Sequence, residues 1–368
     1  MLMHKLIRTL IISLLVIIVV SDTIKAGSKR RRGTAGAQEL LIPFGSRGIA
    51  MSGSYVAGLS GIEAALWNPA GVAAMEDRGQ TMFSFGNWIA DIDLTFAGVA
   101  SKFGRNHFGF TLQSLNFGDI PVTTEEFTDG TGEYFSPTFI TLGFLFSRKM
   151  TDRIFFGTNL KLVYEGIMRE NATGFVVDAG VQYYLQNPGI KIGVSLRNLG
   201  LNMVFDGADL EDHYPPADAE PGASSEPRRV KLQGFEMPTT LELGVAYGPI
   251  DLGMGKLNLA ASFLNNNFSF DEYRFGGELE LMNILFVRGG FCLAYDPEPY
   301  GLDSIEGSGD EEDDETWESR TDEFIWGPSF GFGINTKSFT NTNLMVDYAY
   351  RYAAIFSGVQ WITVSMGF

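Results

Sequence analysis

The chain has little sulfur and little imidazole: one cysteine, Cys292, and three histidines in 368 residues. A lone cysteine makes no internal disulfide and no thiolate metal cluster. Past residue 26 only His107 and His213 remain, and no serine or cysteine stands at a spacing that implies a nucleophile and its base. A hydrolase needs its base held rigidly beside its nucleophile. No catalytic residue is assigned, the chain is not read as an enzyme, and neither metal nor cofactor is expected. Basic charge is also scarce, with 27 Lys and Arg against 44 Asp and Glu and a formal net charge of −17. A phosphate backbone needs a basic face, which excludes nucleic acid as a partner. Long apolar runs are missing after residue 26: no segment reaches the roughly 18 residues of a membrane-spanning helix.

Glycine and aromatics are plentiful instead: 44 Gly, 30 Phe and 13 Tyr, while charged residues are only 19%. That is richer in both than an ordinary soluble domain and suits a large barrel. Residues 1–26 have a basic start (Lys5, Arg8), an apolar core from Leu10 to Val20 and a short polar end at Ala26, the layout of a secretory signal peptide. The rival reading, a membrane anchor, needs about 20 apolar residues, and this core is shorter. Residues 27–43 read as a flexible basic linker around Lys29-Arg30-Arg31-Arg32, either a solvated tail or a binding run.

Period two dominates the rest. Ile190, Ile192, Val194 and Leu196 alternate with Lys191, Gly193, Ser195 and Arg197; Leu241, Leu243 and Val245 alternate with Glu242, Gly244 and Ala246. The rule predicts fourteen strands near 80–86, 92–102, 106–117, 135–148, 153–167, 172–186, 189–199, 238–248, 255–265, 270–281, 283–295, 324–336, 341–351 and 358–368. An even count is what a bacterial barrel requires. Many of these strands exceed the usual five or six residues of a soluble sandwich. Connections sort the same way: the long ones, 118–134, 200–237 and 296–323, follow the third, seventh and eleventh strands and fall on one rim, while the connections after even strands are short. Outer-membrane barrels have short periplasmic turns and longer outer loops, so the chain is expected to enter from the periplasmic rim. Ile362, Val364, Met366 and Phe368 share the outward parity of the last strand.

Residues 44–79 break the pattern. Between Phe44 and Met75 stand six glycines and only two charged residues, Arg47 and Glu63, with room for a short helix from Ile62 to Leu66 before Asn68-Pro69 stops it. So short a module cannot bury a core of its own, and the barrel of residues 80–368 is its expected container. The run Gly45-x-Arg47-x-x-x-Met51-x-Gly53, then Trp67-Asn68-Pro69-Ala70-Gly71, resembles the hatch of FadL-like outer-membrane barrels, most closely the PorV/PorQ family. The likeness continues through Leu115 to Ile120, Tyr134 to Pro137, Gly157 to Lys161, Phe175 to Gly180 and Leu196 to Gly200, then fades. Ser46 and Ser52 depart from it, standing where such hatches carry alanine or glycine.

The resemblance implies an all-β transmembrane antiparallel barrel of about fourteen strands in a Gram-negative-type outer membrane, with a partly helical hatch inside the lumen. For the PorV/PorQ family it implies a part in type IX secretion, binding the C-terminal domains of cargo and passing them to secretion-system proteins. For the wider FadL-like group it implies transport of a hydrophobic ligand, a long-chain fatty acid or hydrocarbon, that leaves sideways at a kink or bulge in the wall.

The alternation turns Lys161, Asp178, Arg197, Glu242, Arg274, Glu278, Glu280, Arg288 and Asp347 into the lumen, because lipid would not tolerate them. They form either a bracing ladder of paired charges or a polar conduit. Phe83, Phe85 and Trp88 supply either an apolar pocket or an interfacial girdle. The loop 296–323 carries thirteen carboxylates and one base, Arg320. It lacks the order of a calcium loop, so it reads as hydrated and mobile, with calcium as the alternative.

Overall fold

The computed structural model describes residues 31, 33–185, 189–214, 225–295, 324–338, 342–356 and 358–368. The signal-like segment 1–26 and the acidic loop 296–323 lie outside the described residues.

Fourteen antiparallel strands form the wall: β1 Gly79–Asn87, β2 Asp93–Phe103, β3 Asn106–Asn116, β4 Thr138–Lys149, β5 Ile154–Ile167, β6 Glu170–Tyr184, β7 Ile190–Gly200, β8 Thr240–Asp251, β9 Gly255–Asn266, β10 Asp271–Leu281, β11 Leu285–Tyr295, β12 Trp326–Asn335, β13 Asn343–Ala353 and β14 Val359–Gly367. Each pairs with its neighbour in the chain, and β14 returns to β1 in a register from Gln80 opposite Gly367 to Asn87 opposite Gln360. The sheet is therefore a closed barrel with no free edge. Phe83, Phe110, Leu160, Phe175, Phe332 and Ile362, all half exposed or more, make its outer face apolar, as a lipid-facing band must be. Phe85 shares that outward face, so Phe83 and Phe85 do not line the lumen cavity, and of the three aromatics only Trp88 packs inward, against Trp326 and Trp361.

The strand ends that bear the three long connections, β3 and β4, β7 and β8, β11 and β12, share one rim, and the connections after even-numbered strands are short in sequence. The first described residue lies on the long-loop rim, where Arg31 pairs with Glu236 and covers the Phe268 ring. The chain then threads the lumen and enters β1 at the short-turn rim, where Gly79 and Phe368 exchange backbone bonds. The stretch Ala35–Pro43, read from the sequence as the end of a linker, is packed inside: Ala35, Ala37 and Glu39 are buried, and Ala37 sits among Val163, Val176, Met203 and Met237.

The hatch follows as α1 (Ser46–Ala50) and two short 3-10 turns, Ile62–Leu66 and Pro69–Ala74. Gly45 and Gly61 precede the first two at φ 87° and 83°, a backbone region that only glycine enters without strain. Asn68 caps the third: its side chain accepts the Ala70 amide, and Pro69 takes the first position, where no N–H is needed.

Candidate functional site

Wall glycines ring the hatch on the lumen side. A Cβ on Gly157 would lie 2.2 Å from the Pro69 carbonyl carbon, on Gly180 2.0 Å from Asn68 Oδ1, on Gly193 2.6 Å from Ala57 Cα and on Gly244 2.2 Å from Val56. Gly276 and Gly290 admit the Met51 backbone, and Gly331 admits Ala50. Hatch and wall thus meet at backbone distance, close enough for direct bonds. Asn68 Nδ2 lies 3.2–3.3 Å from the carbonyls of Val56, Val181 and Val194, so one amide ties the hatch to β6 and β7. Ser147 Oγ donates to the Pro69 carbonyl at 2.5 Å. Ser46 and Ser52, the two departures from the hatch pattern, bond wall hydroxyls: Ser46 reaches Thr363 at 2.8 Å and Ser52 reaches Ser329 at 2.6 Å.

Most of the inward charges fall into two arrays. In the first, Arg47 of the hatch donates twice to Glu278, which also takes Arg288 Nε at 2.7 Å, and Arg288 reaches Asp347 at 2.5 Å. Glu63 joins from within the hatch by accepting the Gly48 amide at 2.8 Å. In the second, Glu242 lies 3.3 Å from Arg197 and 3.5 Å from Arg274, and Arg274 reaches Glu272 at 2.8 Å. Arg197 also donates to the Leu66 carbonyl and lies over Trp67, the indole that fills the space beside Gly48 and Gly53. Gly45, Met51, Trp67, Asn68, Pro69, Ala70 and Gly71 are likewise buried in the hatch. Glu280 stands apart from both arrays, half-buried and 3.9 Å from Lys256.

A third group centres on a bulge. Asp178 of β6 faces two residues of β7, Arg197 and Asn198, as the register jumps from Val177–Leu199 to Ala179–Leu196. Asn198 sits at φ 59°, its amide donates to Asp178 Oδ1 at 2.8 Å, and Lys161 bridges the pair at 2.8 Å to Asp178 and 2.5 Å to Asn198. A residue in this conformation is how a β-strand is bent locally. The regular β7–β8 ladder ends at Arg197–Thr240, where β8 begins, and Asn198 still reaches across: its Nδ2 donates to the Pro238 carbonyl at 3.4 Å and its carbonyl accepts Thr239 Oγ1 at 3.1 Å. Beyond the ladder Met203 and Phe235 exchange backbone bonds, and Met203 and Met237 pack beside Val163 and Val176.

Above the hatch, toward the long-loop rim, these groups enclose a cavity of about 590 Å³. One side is apolar: Phe44, Trp88, Leu115, Phe117, Phe139 and Trp326, with Trp88 and Trp326 4.9 Å apart and Phe117 and Phe139 4.8 Å apart. The other is charged, with Lys161, Asp178, Arg197, Glu272, Arg274 and Arg351. Arg351 is 7% exposed, lies 4.5 Å over the Trp326 ring, and its Nε and Nη2 find no hydrogen-bond partner among the described residues. A buried guanidinium left with free donors is costly unless something else accepts them. The N-terminal segment forms part of the cavity wall through Glu39, whose Oε1 has no hydrogen-bond partner among the described residues. Burial, followed by the charge of Glu165 and a hydrogen bond with it, pushes the Glu39 carboxyl up to about 9.

Glu39, Glu165, Glu272 and Arg351 were not singled out from the sequence. Glu272 shares the parity of Arg274, and Arg351 that of Asp347, so carrying the alternation to the strand ends would have found both. The wall glycines gave no signal, since a glycine reads alike on either face.

No family model matches the chain, and no curated protein matches its sequence. Solved structures do match. The CymD monoaromatic hydrocarbon channel aligns over 89% of this chain and 98% of its own at a TM-score of 0.56 and 13% identity. The toluene transporter TbuX of Ralstonia pickettii aligns over 88% and 97% at 0.52 and 12%. A FadL homologue of Pseudomonas aeruginosa aligns over 88% and 98% at 0.52 and 13%. What the chain shares with these proteins is the fold, a closed fourteen-stranded barrel of the FadL-like outer-membrane kind.

Proposed function

We propose that this barrel is a non-enzymatic channel that takes apolar small molecules with an anionic head into its lumen cavity and releases them through the wall beside the β7 bulge. The observation that carries the reading is Arg351, a buried guanidinium with free donors on the rim of an aromatic-lined cavity. A neutral hydrocarbon would leave those donors unmatched, while a carboxylate would satisfy them and lay its chain along Trp88, Leu115 and Phe139. The cavity volume falls in the range of about 300–1,000 Å³ usual for small-molecule sites. Release sideways fits the β7 bulge, where the register jumps and the regular β7–β8 ladder ends, and the hatch closes the direct route. The structural neighbours, described as a monoaromatic hydrocarbon channel and a toluene transporter, support passage of an apolar molecule, while the anionic head rests on Arg351 alone.

The PorV-like shuttle of type IX secretion rests on the sequence resemblance alone, and no feature of the site or of the comparisons favours it. The test is binding of dodecanoate against dodecanol by the purified barrel. Dodecanoate should bind more tightly, and Arg351→Gln should erase that preference, weakening the acid by about 10- to 100-fold, the worth of a hydrogen bond to a charged group. Equal binding of acid and alcohol by the unaltered barrel would refute the anionic-head reading.

A further inference from the structure

The outer wall carries a second apolar concavity, facing away from the lumen. Phe83, Val99, Phe110, Leu142, Phe144 and Leu160 of β1 to β5 surround a depression of about 720 Å³ floored by Ala97, Gly98 and Gly143. A chain of ring contacts leads from it to the short-turn rim: Phe110 to Phe144 at 5.3 Å, Phe144 to Phe108 at 6.5 Å, and Phe108 to Phe103 at 5.9 Å. Phe103 ends this path at 61% exposure, and Met150 of the adjacent turn is 50% exposed.

The path meets a patch of one charge sign. In the two turns 102–105 and 148–153, five bases, Lys102, Arg105, Arg148, Lys149 and Arg153, stand against one acid, Asp152. The turns lie side by side, since the Lys149 amide donates to the Arg105 carbonyl at 2.9 Å. Asp152 is taken by Lys149 at 3.2 Å, while Arg105 and Arg148 enter no ion pair among the described residues. This concentration runs against a chain of net charge −17. Arg148 shares the outward face of β4 with Phe146, Phe144 and Leu142, four residues or about 13 Å along the strand from Phe144 at the groove.

We infer that this face holds an anionic phospholipid, its phosphate on Arg105 and Arg148 and an acyl chain laid up the phenylalanine path into the groove. The groove alone would accept any lipid tail, and the basic turns choose the head. Each base near an anionic leaflet contributes about fivefold to binding.

Native mass spectrometry of the purified barrel in mixed micelles of phosphatidylethanolamine and phosphatidylglycerol tests this, with folding followed by heat-modifiable gel migration. One phosphatidylglycerol should be retained per barrel in preference to phosphatidylethanolamine. The double variant Arg105→Gln/Arg148→Gln should lose on the order of thirtyfold of that retention, and Leu142→Trp, which fills the groove without touching charge, should also release the lipid. Lys256→Gln, on a distant turn, should change nothing. Equal retention of both lipids, retention unmoved by the double variant or by Leu142→Trp, or a dimer that buries this face in place of lipid would overturn the inference.

Discussion

Arg47 of the hatch grips Glu278 of β10 through two parallel bonds, Nε to Oε2 and Nη2 to Oε1, both at 2.7 Å. A planar guanidinium on a carboxylate is the strongest ion-pair geometry available to side chains, and this is the pair that crosses from hatch to wall in the first array. Removing one partner of a buried pair costs about 3–5 kcal/mol when the survivor is left uncompensated. Glu278 keeps Arg288, so Arg47→Ala should sit near or below the lower end of that range. The effect should appear as a loosened plug: transient ion-conducting openings in planar bilayers, absent in the unaltered barrel. A variant as silent as the parent would show that the pair does not retain the hatch.

The glycine ring gives a steric prediction. Gly180→Ala places a methyl where Asn68 Oδ1 now lies, and overpacking of this kind costs about 1–3 kcal/mol. Gly289→Ala is the control, since its nearest neighbour would be the Ser329 carbonyl at 3.9 Å. Thermal unfolding in detergent should fall for the first variant and hold for the second.

The N-terminal segment should respond to pH. Glu39 titrates near 9 in the folded protein against an ordinary 4.5, so the folded state holds a proton that the released segment gives up. Its contribution to packing is fully present below pH 4.5, weakens as pH rises, and is lost through about 9. Protease cleavage between Ala35 and Pro43 should therefore accelerate from neutral pH toward about 9 and level off above it, and Glu39→Gln should flatten the profile. An unchanged profile in that variant would remove Glu39 as the cause.

The exit proposed beside the bulge can be locked. Met203 and Met237 both approach Gly174, and replacing the two with cysteines should allow a disulfide across the route between β7 and β8. Uptake of a fluorescent fatty acid into proteoliposomes should stop when the bond forms and resume on reduction. Undiminished uptake in the oxidised variant would exclude this exit.

The wall was legible because charge made the alternation visible. On β8 and β10 the inward residues Glu242, Arg274 and Glu278 contrast sharply with leucine and phenylalanine, and the strands lie within a few residues of where period two placed them. On β1 the inward residues are Met82 and Ser84, the contrast is weak, and Phe83 and Phe85 could be assigned to either side. The Asn68-Pro69 stop was legible from the geometry of proline, but not that the Asn68 amide would fasten two strands, because partners distant in sequence leave no local trace. The packed Ala35–Pro43 segment was missed for a similar reason: nine residues are too few to show a period, and their burial depends on the 201–239 loop.

The central claim is that the lumen cavity carries an apolar molecule with an acidic head. Its most direct test is mass spectrometry of small molecules extracted from the barrel after gentle purification from its own outer membrane. The account predicts near-equimolar recovery of an organic acid with an apolar tail, lost in Arg351→Gln. Recovery of neutral hydrocarbons alone, or of a tightly bound cargo protein with no small molecule, would contradict it.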